Sequence, residues 1–327
     1  MQRIVQPEGQ YRYTFGPAHP PVATVQTGET IKVVTEDAFG GRIKSSADRI
    51  AEKIVQPYVN PLTGPIYVAG ADPGDTLVVE IHNIRPLSDQ GATAMIPYFG
   101  GLTATSLTRL LHDPLPAVVR ICPLREGFVQ FSEDIAIPYE PFFGCIGTAP
   151  QLEVVSSLSP GTHGGNMDVP DVAPGNKVML PVNVPGALLF LGDVHACQGD
   201  GELTGVAVEI PAESTITIDV LKRRRITSPR LESPLEIMCV GNARPMEDAV
   251  RIAYADLVEW LTEDYGFDKW EAYQLLGQVG RVRLGNMVDT LYSMVAKCPK
   301  RYLSSRPSNA ARREDLSSRP SSANNKT

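Results

Sequence analysis

The residues able to do chemistry concentrate in one segment. Gly192-Asp193-Val194-His195-Ala196-Cys197-Gln198-Gly199-Asp200-Gly201-Glu202 holds three carboxylates and an imidazole. Asp193 and His195 stand two apart, so on an extended chain both point to one face. Asp200 and Glu202 repeat that spacing, and the Gly199/Gly201 turn can fold the two pairs together. Between Val178 and Leu221 there are six acidic residues and no lysine or arginine. Carboxylates buried at such density repel one another and lose hydration, which raises their pKa values unless a cation neutralises them. On one reading, oxygen ligands and an imidazole nitrogen hold a divalent metal while a remaining carboxylate serves as general base. On the other, the segment is a glycine-rich hairpin with a solvated acidic rim.

Two further motifs offer ligands. Thr162-His163-Gly164-Gly165-Asn166-Met167-Asp168 combines permissive glycines with His, Asn and Asp, although taken alone the motif is better read as an Asn/Asp turn. Thr35-Glu36-Asp37-Ala38-Phe39-Gly40-Gly41 places an acidic pair at the end of an expected strand. His19, His82 and His112 have no companion pattern and read as structural or exposed residues.

The elements around these motifs are expected to be strands. Glycine and proline contribute 28 residues each to a chain of 327, well above the usual ~12% combined, which favours short strands and tight turns. Ser214 to Val220 alternates with period two, and Leu203–Ile210 and Thr76–Ile84 are further expected strands. After Pro245 the period changes. Ala249, Val250, Ala253, Tyr254, Leu257 and Leu261 form one helical face that Gly266 ends, and Asp268 with Glu271 opens a second helix. A third helix is expected from Asn286 towards Ala296, stopped by Pro299. The fold class is therefore mainly β (α+β), sandwich or barrel-like, with a small C-terminal helical region. The chain divides into a β-rich catalytic region over 1–245, a helical region over 246–302 packed on it, and a tail over 303–327. That tail repeats Leu-Ser-Ser-Arg-Pro-Ser and has too few large apolar side chains to offset its ordering entropy, so disorder is expected there.

Charge and composition exclude other classes. The net charge is −7, and the tail is basic, so the body is more acidic still. Neither nucleic acid nor an anionic membrane is an expected partner. No window of 18 apolar residues exists, and Met1 to Pro7 lacks the apolar block of a secretion signal. Cys122, Cys145, Cys197, Cys239 and Cys298 are odd in number and widely spaced, which suggests neither a disulfide framework nor a cysteine zinc site. A soluble cytoplasmic protein is expected. Its many β edges favour a homo-oligomer.

Taken together, the motifs resemble the acetamidase/formamidase family. The resemblance rests on Asp37-Ala38-Phe39-Gly40-Gly41, Gly64-Pro65-Ile66-Tyr67-Val68-Ala69-Gly70-Ala71-Asp72-Pro73-Gly74-Asp75, Phe143-Gly144-Cys145-Ile146-Gly147-Thr148-Ala149-Pro150, Gly164-Gly165-Asn166-Met167-Asp168 and the segment from Gly192 to Glu202. They occur in the family's order and run from about residue 20 to about residue 302. The resemblance implies a mostly β protein that hydrolyses a short carboxamide to carboxylate and ammonia with a bound divalent metal, zinc or calcium. The family's motif residues fall on Asp37, Asn166, Asp168, Asp193, His195, Asp200 and Glu202. The expected assignment has Asp37, Asp193 and His195 as metal ligands and Glu202 as base. Asn166 would donate to the oxyanion, with Asp168 and Asp200 in the catalytic set. Cys197 stands where the family usually has a small residue, and Lys44 to Pro61 matches no family feature, which leaves the exact amide open.

Two alternatives remain at this point. Cys145 or Cys197 could act as a thiol nucleophile with a neighbouring carboxylate or His195 as base. A glycine-turned acidic β protein could also be a non-catalytic, calcium-dependent binding or assembly module.

Overall fold

The computed structural model describes residues 1–7, 9–103 and 114–303, so His112 and the repeat-bearing tail beyond Leu303 lie outside the described residues. Strands make up 41% of the structure and helices 13%, as the turn-rich composition implies. The alternation from Ser214 lies in the strand Ala212–Leu221, where Ile216 and Ile218 are fully buried and Asp219 faces solvent. That strand sits between Glu29–Thr35 and Thr76–Pro86 in a sheet of nine strands among the described residues. A second sheet is built around Leu189–His195, which pairs antiparallel with Phe142–Gly147, Glu209–Ile210 and Leu62–Ala69. Ile31, Leu77 and Ile216 of the first sheet and Ile66, Phe143 and Leu191 of the second belong to one apolar core. The arrangement is a sandwich, and neither sheet closes into the barrel also entertained from sequence.

The two expected helices form as Met246–Tyr265 and Lys269–Val279. Gly266 ends the first in the left-handed conformation at φ 69°, and the Asp268 carboxylate caps the second by accepting from the Trp270 and Glu271 amides. The first helix lies on the strands Glu236–Ala243 and Tyr292–Pro299, where Gly241 has no side chain to hold the helix backbone away. Buried Arg230 anchors it by a bidentate pair to Asp256, at 2.9 and 2.7 Å.

Two expected elements differ from the sequence reading. Asn286 to Ala296 is not a helix: Arg281–Asn286 and Tyr292–Pro299 form an antiparallel pair at the sheet edge. Seven of the eight residues in Tyr292–Pro299 are buried, because helices cover its outer face, and a strand buried on both faces loses the period-two signal. Within Leu203–Ile210 only Glu209–Ile210 is a strand. Gly205, at φ 80°, turns the chain before it.

Glu213 ties the N-terminal strand to the sheet. Its buried carboxylate accepts from Arg3 Nε at 2.7 Å, Lys32 Nζ at 2.9 Å and Arg85 Nη2 at 3.3 Å. The bonds from Arg3 and Lys32 hold its pKa at about 2, below the ordinary 4.5. A depressed carboxyl pKa contributes stability that is complete above the unfolded value and disappears as pH falls through the folded one. Glu213→Gln should therefore flatten the acid limb: its loss of melting temperature from about pH 5 to about pH 3 should be smaller than the parent's. Parallel losses in thermal melts of the two proteins would remove Glu213 from the acid response.

Candidate active site

Three neighbouring segments carry the site. The strand Leu189–His195 brings Asp193 and His195, the strand Phe142–Gly147 beside it brings Gly144 and Cys145, and Gly164–Asn166 leads into Asp168. The turn after His195 returns Glu202, and Glu209 pairs opposite His195. Asp168, Asp193 and Glu202 all adopt positive φ, at 49°, 55° and 48°. For non-glycine residues such conformations cost roughly 1–3 kcal/mol each and tend to cluster where function requires them.

His195 is fixed by its neighbour. Gln198 Nε2 donates to the Asp168 carbonyl at 2.9 Å and the Gly285 carbonyl at 3.1 Å. Its amide oxygen must then be the atom 2.8 Å from His195 Nδ1, so Nδ1 carries a proton and donates. In the neutral ring this leaves a lone pair on Nε2. That nitrogen faces Asp193 Oδ1 at 3.5 Å, Glu209 Oε2 at 3.5 Å and Asp168 Oδ1 at 3.9 Å. The side chains involved are buried, and neither Asp168 Oδ1 nor Glu209 Oε2 has a hydrogen-bond partner.

Such a group of like charges is unstable alone. Burial is the main cause that raises Asp168, Glu209 and Asp289 well above the usual carboxylate range, and the other acids add to it. Glu202 rises to about 7, again chiefly through burial. Burial opposes charging His195, but Glu209 and Asp193 outweigh it and lift the ring to about 10. The site therefore draws positive charge to its centre, as a proton on the imidazole or as a metal ion.

Two sets of donor atoms lie close enough to share an ion: Asp168, Asp193 and His195, and His195, Glu202 and Glu209. Gly144 marks the space between the first three. A Cβ there would stand 2.6 Å from Asp193 Oδ2, 2.7 Å from Asp168 Oδ1 and 2.8 Å from His195 Nε2. The unpartnered oxygens, the aimed lone pair and this cradle suit a divalent cation with mixed nitrogen and oxygen ligands.

The structure brings together Asp168, Asp193, His195, Glu202 and Asn166, and it leaves Asp37 and Asp200 apart. Asp37 Oδ1 accepts from the Phe39 and Gly41 amides at 2.9 Å each, closing its own glycine turn, and Asp37 belongs to neither donor set. Asp200 is exposed and pairs with Arg283 Nε at 2.7 Å. Asn166 adjoins the cluster but has no hydrogen free for an oxyanion: its Nδ2 donates to Asp168 Oδ2 at 3.0 Å and Asp289 Oδ2 at 2.7 Å. Its oxygen accepts from Asn60 Nδ2, which also donates to Asp193 Oδ2 at 2.9 Å. Asn60, Gly144, Glu209, Asn286 and Asp289 belong to the site without having been singled out in the sequence.

The sequence profile of the Acetamidase/Formamidase family matches residues 2–160 and 153–299, nearly all of the described chain. The chain belongs to the acetamidase/formamidase family. A crystal structure of acetamidase from Yersinia enterocolitica superposes with a TM-score of 0.91 at 45% identity, covering 93% of each chain. The acetamidase from Bacillus halodurans gives 0.84 at 32% identity, covering 92% of this chain and 98% of that one. The formamidase of Methylophilus methylotrophus is 27% identical over 269 residues, which are 66% of this chain, and the chain spans 65% of that protein's length.

Within this family member the thiols are poor nucleophiles. Cys145 Sγ lies 2.8 Å from Asn166 Oδ1 and 3.2 Å from the Ser157 carbonyl, and burial first, then Asp193, pushes its pKa well up. Burial likewise lifts Cys197 to about 11. Both stay protonated near neutral pH, where only a thiolate attacks efficiently.

Proposed function

We propose that the chain is a metal-dependent amidohydrolase that cleaves a primary carboxamide to carboxylate and ammonia, formamide and acetamide being its smallest substrates. The observation that carries the reading is His195 Nε2, set by the Gln198 contact at Nδ1 to face three buried carboxylate oxygens, two of which have no hydrogen-bond partner. The family membership supports the amide as substrate.

Asp168, Asp193 and His195 would hold the ion, with Glu209 beside them. A divalent cation there supplies Lewis acidity, withdrawing charge from an amide oxygen and making water easier to deprotonate. The chain's own groups do the rest. Gln198 holds His195, Asn60 holds Asp193, and Asn166 braces Asp168 and Asp289. Glu202 lines the cavity and would take a proton from the attacking water and pass it to the departing nitrogen. The C–O bond forms, the C–N bond breaks, and RCONH2 with H2O becomes RCOO− with NH4+. The imidazole favours zinc, manganese or iron over calcium, which prefers oxygen ligands throughout.

Among the described residues no helix is long and apolar enough to cross a membrane, and all five cysteines are free thiols, which supports a reducing cytoplasmic location. A homo-oligomer that covers β edges completes the reading. Elemental analysis with ammonia release tests the central claim. Purified protein should carry a stoichiometric divalent metal, release ammonia from acetamide or formamide, and lose that activity to a chelator but not to a thiol alkylator. Full turnover by a metal-free preparation would overturn it.

A further inference from the structure

The cavity over the acid cluster encloses about 450 Å3. At the ~30 Å3 that one water takes in the liquid, the four non-hydrogen atoms of acetamide fill only on the order of 120 Å3. The remaining space is continuous with the chemistry, because Asp193, Glu202 and Glu209 line the same cavity as Phe39, Ile96, Phe99, Val206 and Met287. Its size falls in the range of pockets that enclose ring-bearing ligands.

The walls define the chemistry of the occupant. Beyond the acids they are dominated by aromatic and aliphatic side chains, and Phe39 is itself only 3% exposed. Phe99 lies against Gly205, where a Cβ would meet its ring at 2.5 Å, so the glycine is what allows an aromatic ring to form this wall. Arg244 is the one basic residue among the described lining residues. Its guanidinium stacks 4.3 Å from the Tyr292 ring centre and donates from Nη2 to the Asp289 carbonyl at 2.7 Å, while its buried Nε has no hydrogen-bond partner. Over most of their area the walls therefore offer dispersion and edge-to-face ring contacts.

We propose that the amide accepted here carries an aromatic ring on its acyl group, phenylacetamide being the simplest example. The inference rests on the amidohydrolase reading above and adds the substrate class: water's oxygen bonds to the carbonyl carbon, the C–N bond breaks, and phenylacetate and ammonium leave. The metal-loaded protein should show a kcat/KM for phenylacetamide at least tenfold above that for acetamide. By calorimetry, phenylacetate should bind at least tenfold more tightly than acetate. Narrowing the cavity from either of two walls, by Val206→Phe or by Ile96→Trp, should lower the ratio of the two kcat/KM values tenfold or more. Acetamide turned over as efficiently as phenylacetamide, with the two acids bound alike, overturns the substrate class and leaves the amidase reading intact. If neither amide yields ammonia, the amidase reading falls and the inference falls with it.

Discussion

Gly144→Ala should strip the protein of its metal and lower kcat/KM by about 10³-fold or more, a loss in the range seen when the main electrostatic stabiliser of a reaction is removed. The added methyl carbon has nowhere to go. It would lie 2.6–2.8 Å from Asp193 Oδ2, Asp168 Oδ1 and His195 Nε2, atoms of the three residues we assign as ligands. Each is buried and held from behind: Asp193 by Asn60, Asp168 by Asn166, and His195 by Gln198. None can swing aside without breaking a hydrogen bond that has no solvent replacement. Gly144 has no positive φ, unlike Gly164 and Gly165 nearby, so alanine suits its backbone and the strand pairing should survive. Metal analysis and a thermal melt together decide the matter. A folded variant that retains stoichiometric metal and full turnover would show that the ion, if any, sits elsewhere.

Gly144 also shows what the sequence could and could not disclose. Asp193 and His195 were legible because both lie on one strand two positions apart, and Asp168 was legible as part of a glycine-flanked ligand motif. Parity misled at Asp200 and Glu202. Gly201 at φ 90° and Glu202 at φ 48° break the extended chain, so the two carboxylates part, one to Arg283 at the surface and one to the cavity. Asp37 misled for a local reason, since a carboxylate ahead of a glycine turn satisfies its own backbone amides. Asp289 was hidden by an error in secondary structure. Reading Asn286 onward as a helix concealed a hairpin whose connection delivers Asp289 to Asn166, 123 residues away in sequence. Glu209 carried a usable signal: it was one of the six acids in a stretch without a basic residue, and the antiparallel return places it opposite His195. Gly144 stood inside a family motif but its role was not legible, because a glycine needed for empty space looks like a glycine needed for a turn.

Glu202→Gln should lower kcat by about 10² to 10⁴-fold, the usual contribution of a positioned acid–base group, while metal content stays near that of the parent. The amide is nearly isosteric with the carboxylate and keeps the cavity wall, but it cannot accept a proton at neutral pH. Glu209→Gln is the informative comparison. Glu209 Oε2 is 3.5 Å from His195 Nε2 and has no other partner, so that carboxylate belongs to the charge balance around the ion and its loss should weaken metal retention. The two variants thus separate proton transfer from ion binding in one buried cluster: one should be loaded and slow, the other depleted and partly restored by added metal. If Glu202→Gln loses its metal instead, Glu202 is a ligand, and the base must be sought at Glu209, the other glutamate that lines the cavity beside His195.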